Sequence, residues 1–141
     1  MINILGQIKK GKSEKIESFE SIWLRTSGMR FTDEHEILMK EDKAEVSHYR
    51  IMYREGKDER VLERQALCDK ERILKLLNEC DLISWDGFQG KHPKWVSDGI
   101  MFTLKAIVNS DREIYAQGSE NFPKHYREFT DEIKKILKES E

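Results

Sequence analysis

The chain has 141 residues, of which 37% are charged and 38% apolar, with a mean hydropathy of −0.73. A length of this order suits one domain, which buries roughly two thirds of the unfolded chain's surface and needs neither metal nor disulfide to fold. The 25 Lys and Arg are offset by 27 Asp and Glu, a net charge of −2, so no strong field favours nucleic acid or an anionic membrane, and no apolar run approaches the ~20 residues that span a bilayer.

Residues 1–17 read as a lead-in to a single domain over 18–141. Ile2, Leu5 and Ile8 share a weak helical face that Lys9, Lys10, Gly11, Lys12 and Lys15 interrupt. A weakly ordered tail or a short packing helix is expected. Attachment of residues 1–15 to a membrane surface, with the lysines as a basic collar, is the alternative. The opening Met1-Ile2-Asn3-Ile4-Leu5 lacks the preceding charge and the apolar length of a signal peptide.

From Phe19 to Cys68 the apolar period is nearer two than 3.6. Phe19–Ser27 sets Ile22, Leu24 and Thr26 on one side and Phe19, Ser21 and Trp23 on the other. His35–Glu41 carries Ile37 and Met39. Glu45–Tyr53 sets Tyr49, Ile51 and Tyr53 against His48, Arg50 and Met52, and Glu55-Gly56-Lys57-Asp58 turns the chain into Glu59–Cys68. The pattern predicts a four-strand antiparallel meander. Asp69 is placed to cap a helix whose stripe is Ile73, Leu74, Leu77 and Cys80, ending near Asp81. Cys68 and Cys80 flank that helix about 18 Å apart, too far to bridge. Two free thiols indicate a reducing compartment, and a cytoplasmic location is expected.

Ile100, Phe102, Leu104, Ala106 and Val108 alternate without a break, and Arg112–Gly118 offers Ile114, Ala116 and Gly118 to match. A three-residue loop, Asn109-Ser110-Asp111, then pairs Ala106 with Ile114, Leu104 with Ala116 and Phe102 with Gly118, where glycine leaves room for the aromatic ring. A last helix is expected from about Asn121-Phe122-Pro123, with Phe122, Tyr126, Phe129, Ile133, Ile136 and Leu137 as its stripe. The order ββββαββα describes an α+β domain: a two-layer, mostly antiparallel sheet with both helices packed on one face.

Segment 84–98 has no convincing period and is long for a loop in a small domain. Trp85, Phe88 and Trp95 are either ligand-facing aromatics or plugs over the end of the core. Asp86-Gly87 and Asp98-Gly99 bracket it. Two converging carboxylates can bind a cation or do acid–base work, whereas Asp-Gly is equally a turn dipeptide. At Gly118-Ser119-Glu120-Asn121 a helix start can hold an anion, but Glu120 brings its own negative charge, and structural capping is expected there. His35 lies in Asp33-Glu34-His35-Glu36, read as a turn into a short strand, with His48, His92 and His125 on other elements; no His or Cys falls at zinc spacing, and the histidines are not expected to form a site. Cys68 and Cys80 have apolar neighbours and are read as inert. No nucleophile elbow, phosphate loop or dinucleotide fingerprint occurs. The expectation is no catalytic residue, no metal and no cofactor.

The residues Trp85-Asp86-Gly87-Phe88, Asp98-Gly99, and Gly118-Ser119 with Asn121-Phe122-Pro123, Tyr126 and Phe129 resemble a pattern in small bacterial single-domain proteins of unknown function. The likeness covers roughly residues 19–137. It implies one folded domain and transfers no chemistry. No pattern in the chain specifies a reaction. The leading reading is a non-enzymatic binding or accessory domain that meets a protein partner through the 84–98 loop and the sheet face away from the helices. That face is taken to carry Met101, Thr103, Lys105, Ile107, Glu113, Tyr115 and Gln117, beside His48, Arg50 and Met52. The alternative is a small-molecule-binding protein or hydrolase, with a pocket between the 84–98 loop and the start of the last helix, using Asp86, Asp98, Asn121 and Tyr126.

Overall fold

Alternation drives the first half of the chain into four consecutive strands, β1 (Phe19–Ser27), β2 (Thr32–Lys40), β3 (Lys43–Arg54) and β4 (Lys57–Asp69). The structure, a computed structural model, describes residues 14–97 and 99–139. Helix α1 (Lys70–Glu79) and a 3-10 turn (Leu82–Trp85) follow. Then come a two-residue strand β5 (Gln89–Gly90), the hairpin β6 (Met101–Val108) and β7 (Arg112–Ser119), and helix α2 (Tyr126–Glu139). The seven strands form one sheet in the order β4-β3-β2-β1-β6-β7-β5. All pairings are antiparallel except β5, which runs parallel to β7.

Register sorts the side chains into rows across the sheet, because directly paired residues share a face. One row is apolar throughout: Ile114, Ala106, Ile22, Ile37, Val46, Ala66. The next begins with Ala116, Leu104 and Leu24, then changes character to His35, His48 and Arg64. The expected β6–β7 pairing, with Phe102 opposite Gly118 across the three-residue turn, is the observed one. At the other hairpin the turn is tighter than expected. Glu55 and Gly56 alone form it, at φ 50° and 79°, the mirror-image turn suited to strand twist, and Lys57 already belongs to β4.

Burial completes the core. Ile73, Leu76 and Leu77 of α1 and Phe129, Ile133, Ile136 and Leu137 of α2 join the buried sheet residues in one cluster. Each such side chain contributes about 1.5–3 kcal/mol of hydrophobic stabilisation. Arg72 of α1 donates to Glu132 at 2.9 Å and Glu139 at 2.8 Å of α2. Ile16 is also buried, held by reciprocal hydrogen bonds with the Asn78 side chain at 2.8 and 2.9 Å. Residues 1–13, and with them most of the proposed surface-attachment segment, lie outside the described residues.

Several expectations need correction. Phe19 is buried with Ile22, not opposite it, because a register shift between Phe19 and Ser21 brings Phe19 opposite Val108. Residues Asp33 to Glu36 are mid-strand, not a turn, since β2 begins at Thr32. His48 and Arg50 pair with His35 and Asp33 in the rows of Leu24 and Thr26, so they do not lie beside Lys105. Asp69 makes no side-chain cap; its carboxylate takes a 2.6 Å hydrogen bond from Lys43 across the β3–β4 pair. Helix α2 starts at Tyr126, because His125 at φ 70° breaks the helical path. Asn121 and Pro123 therefore precede the helix.

Candidate functional site

A cavity of about 210 Å³ opens where the second sheet row turns from apolar to polar, between β1, β2 and α2. Its apolar wall is Leu24, Phe31, Ile100, Phe122 and Ile133, and its polar groups are Asp33, His35, Tyr126 and Lys134, with Thr26 and Thr130 between them. Strand period two brings Asp33 and His35 to the same face as Leu24 and Thr26. Helical spacing carries Tyr126, Thr130, Ile133 and Lys134 along one side of α2.

The polar groups differ in how far the protein satisfies them. His48 donates from Nε2 to Asp33 Oδ1 at 2.9 Å, and its ring stacks on His35 with centroids 4.5 Å apart. Burial, then the neighbouring His48, pushes the His35 pKa down to about 4 against the pull of Asp33, so the ring is neutral at neutral pH and offers one donor and one acceptor. Burial raises the Tyr126 hydroxyl well above its ordinary value. Among the described residues neither the His35 ring nitrogens, the Tyr126 hydroxyl nor the Lys134 ammonium has a hydrogen-bond or ion-pair partner. His35 and Tyr126 are thus half-buried polar groups at the cavity wall without a protein partner, while Lys134 is exposed at its rim.

A wider groove of about 700 Å³ runs between α1 and α2. Several of its charges are paired: Arg72 with Glu132 at 2.9 Å, and His125 with Glu128 at 3.1 Å. The cysteines lie apart from the cavity and are unbridged. Burial lifts the Cys80 thiol to about 11 and the Cys68 thiol above its usual value, which disfavours the reactive thiolate.

The residues singled out from the sequence scatter over several environments. Trp85 is a plug, 1% exposed, with its indole N–H on the Lys124 carbonyl at 3.1 Å and its ring edge-on to Phe129. Phe88 is half-buried against Phe102. Trp95 is the opposite case, 95% exposed. Asp86 accepts the Tyr115 amide at 2.9 Å, tying the loop to β7, and Asp98 lies outside the described residues. Lys105 holds its ammonium over the Trp23 and Tyr115 rings at 5.5 and 5.9 Å. Asn121 donates to the Lys91 carbonyl at 3.3 Å. Glu120 accepts the Ile100 amide at 2.6 Å and lies six residues before the start of α2, so it neither caps that helix nor occupies its N-terminus. Among those residues that are described, Tyr126 alone lines the cavity.

Lys134 was not singled out from the sequence, and Asp33 and His35 were weighed there only as metal-ligand types. Of the four histidines His35 and His48 stack, His92 and His125 bond elsewhere, and among the described residues no group of three or more His, Cys, Asp or Glu could hold a metal ion. The available signal was Asp33, His35, Ile37 and Met39 at every second position, which extends β2 through the supposed turn. Compared with known proteins, the chain matches no family model and no curated protein sequence.

Proposed function

We propose that this chain is a binding domain that encloses a small molecule in the cavity between β1, β2 and α2. The observation that carries the reading is the half-buried His35 ring and Tyr126 hydroxyl, neither with a hydrogen-bond partner among the described residues, at the wall of an apolar pouch whose rim carries Lys134. A volume near 210 Å³ is small beside the 300–1,000 Å³ of drug-sized sites, so the ligand is a compact metabolite, not a nucleotide. The reading takes the domain as two layers with both helices on the side of the sheet bearing Leu24 and His35. Support comes from the shared core of α1, α2 and that face, and from the Arg72 bonds between the helices.

The test is a thermal-shift and calorimetric screen with small aliphatic and aromatic acids, amines, alcohols and amino acids. At least one class raises the melting temperature, and Thr130→Phe, which fills the cavity from α2, weakens its binding by about tenfold or more while circular dichroism stays native. A screen without a binder, or binding unchanged in Thr130→Phe, refutes the reading.

A second reading, docking of a protein partner on the opposite side of the sheet, is favoured by Leu62, Leu67, Met101 and Tyr115, which are 49%, 63%, 56% and 41% exposed.

A further inference from the structure

Two opposite charges face the cavity without neutralising each other. Asp33 on β2 and Lys134 on α2 both line it, and both act electrostatically on His35, which lies in the same wall. No ion pair joins them; Asp33 engages His48 through Oδ1, and Lys134 has no charged partner among the described residues. Behind them the wall is aliphatic and aromatic, formed by Leu24, Phe31 and Ile133. Lys134 is exposed and the Asp33 side chain only half-buried, so both charges sit at the rim of the apolar pouch, where a ligand that brings the matching counter-charges gains charge-assisted hydrogen bonds.

We propose that the occupant is a free α-amino acid with an apolar side chain, its carboxylate toward Lys134, its ammonium toward Asp33, and its side chain among Leu24, Phe31 and Ile133. The assignment rests on the cavity being a binding site, and it narrows the ligand by charge. A simple carboxylic acid satisfies Lys134 but meets repulsion from Asp33. A simple amine satisfies Asp33 but is repelled by Lys134. A phosphorylated ligand carries more negative charge than one lysine balances, with a carboxylate opposed to it. A zwitterion leaves both groups paired and the net charge of the cavity unchanged. The neutral His35 ring and the Tyr126 hydroxyl then take up the remaining donor and acceptor positions of the head group.

The experiment uses the full chain near neutral pH and measures dissociation constants by calorimetry and amide chemical-shift titration. The probes are L-leucine, L-methionine and L-phenylalanine. Against leucine stand 4-methylpentanoate, which lacks the ammonium, 3-methylbutylamine, which lacks the carboxylate, and N-acetyl-leucine, which keeps the carboxylate without the cationic nitrogen. At least one amino acid binds about tenfold or more tightly than its single-charge counterparts. Lys134→Met, an exposed helix position, reduces the preference for leucine over 3-methylbutylamine, and Asp33→Asn reduces the preference over 4-methylpentanoate. If the acid or the amine binds as tightly as leucine, and Thr130→Phe still abolishes binding, the zwitterion assignment falls and the cavity remains a binding site. If no probe of any class binds, both fall. Unchanged discrimination in Lys134→Met, with native circular dichroism, also overturns the assignment.

Discussion

His35 stands where a row of apolar side chains gives way to polar ones, and its ring is held there as a neutral group. Its surroundings are specific: the stacked His48 ring on β3, the Asp33 carboxylate two residues before it, and the Lys134 ammonium from α2. Burial, with His48 and Lys134 adding to it, outweighs the carboxylate, and the pKa falls from 6.5 to about 4. The consequence for stability has a definite sign. Above pH 6.5 the ring is neutral in both folded and unfolded states and contributes no pH dependence; between 6.5 and about 4 only the unfolded chain takes the proton, so stability falls as the solution is acidified. The ring's share of that loss is about 2–3 kcal/mol once the lower limit is reached. His35→Phe keeps an aromatic stack on His48 and removes the titration. Urea unfolding at several pH values therefore shows the native chain losing stability relative to His35→Phe as acid is added. Parallel curves for the two proteins reject the argument.

At the scale of elements, the most constrained packing is where β7, β5 and the segment leading into α2 cross. Gly90 and Gly118 are paired, and the Asn121 carbonyl oxygen rests against both. A Cβ on Gly118 collides with that backbone oxygen and stands 2.8 Å from Phe102 Cε1. The oxygen cannot retreat easily, since Glu120 is anchored to the Ile100 amide and Asn121 to Lys91. Gly118→Ala is therefore expected to cost about 1–3 kcal/mol by overpacking, read as a lower urea midpoint with an unchanged slope. A variant as stable as the native chain shows that the crossing is loose. The need for glycine opposite Phe102 was legible in the sequence because residues 100–108 alternate over five apolar positions, which leaves one register that buries both strands. The cavity was not legible, because its polar members sit on β2, where Asp33, Glu34, His35 and Glu36 hide the alternation under four consecutive polar residues. The start of α2 failed for a different reason. Asn121 and Pro123 fit the usual first turn, and the helix is delayed by one residue, His125, whose positive φ carries no signature in a histidine.

Taken as a whole molecule, the sheet has two faces that do different work. The face with Leu24 and Leu104 supports the core and the cavity, while the other carries rows such as Glu36, Trp23, Lys105 and Tyr115. On that second face Glu34 is nearly buried, bound by Arg25 at 3.1 Å and Arg60 at 2.9 Å, with the Arg60 guanidinium 3.6 Å over the Tyr49 ring. Its centre is thus covered by its own ion pairs, and its apolar exposure lies toward the edges, at Leu62 and Leu67 on β4 and at Met101 and Tyr115 beyond. A partner docking there meets a charged middle with apolar flanks, and it contacts none of the groups that line the cavity. The two proposed sites are therefore separable. Lys105→Glu combined with Tyr115→Ala reverses one charge and removes one aromatic anchor from this face without touching the core, since both side chains are exposed. The double variant is expected to keep its ligand affinity within about twofold and its melting temperature within a few degrees of the native chain. It is also expected to lose proteins that co-purify with the tagged native chain, compared by quantitative mass spectrometry. If the co-purifying set is the same for both chains, this face is ordinary solvated surface, and the cavity carries the function alone.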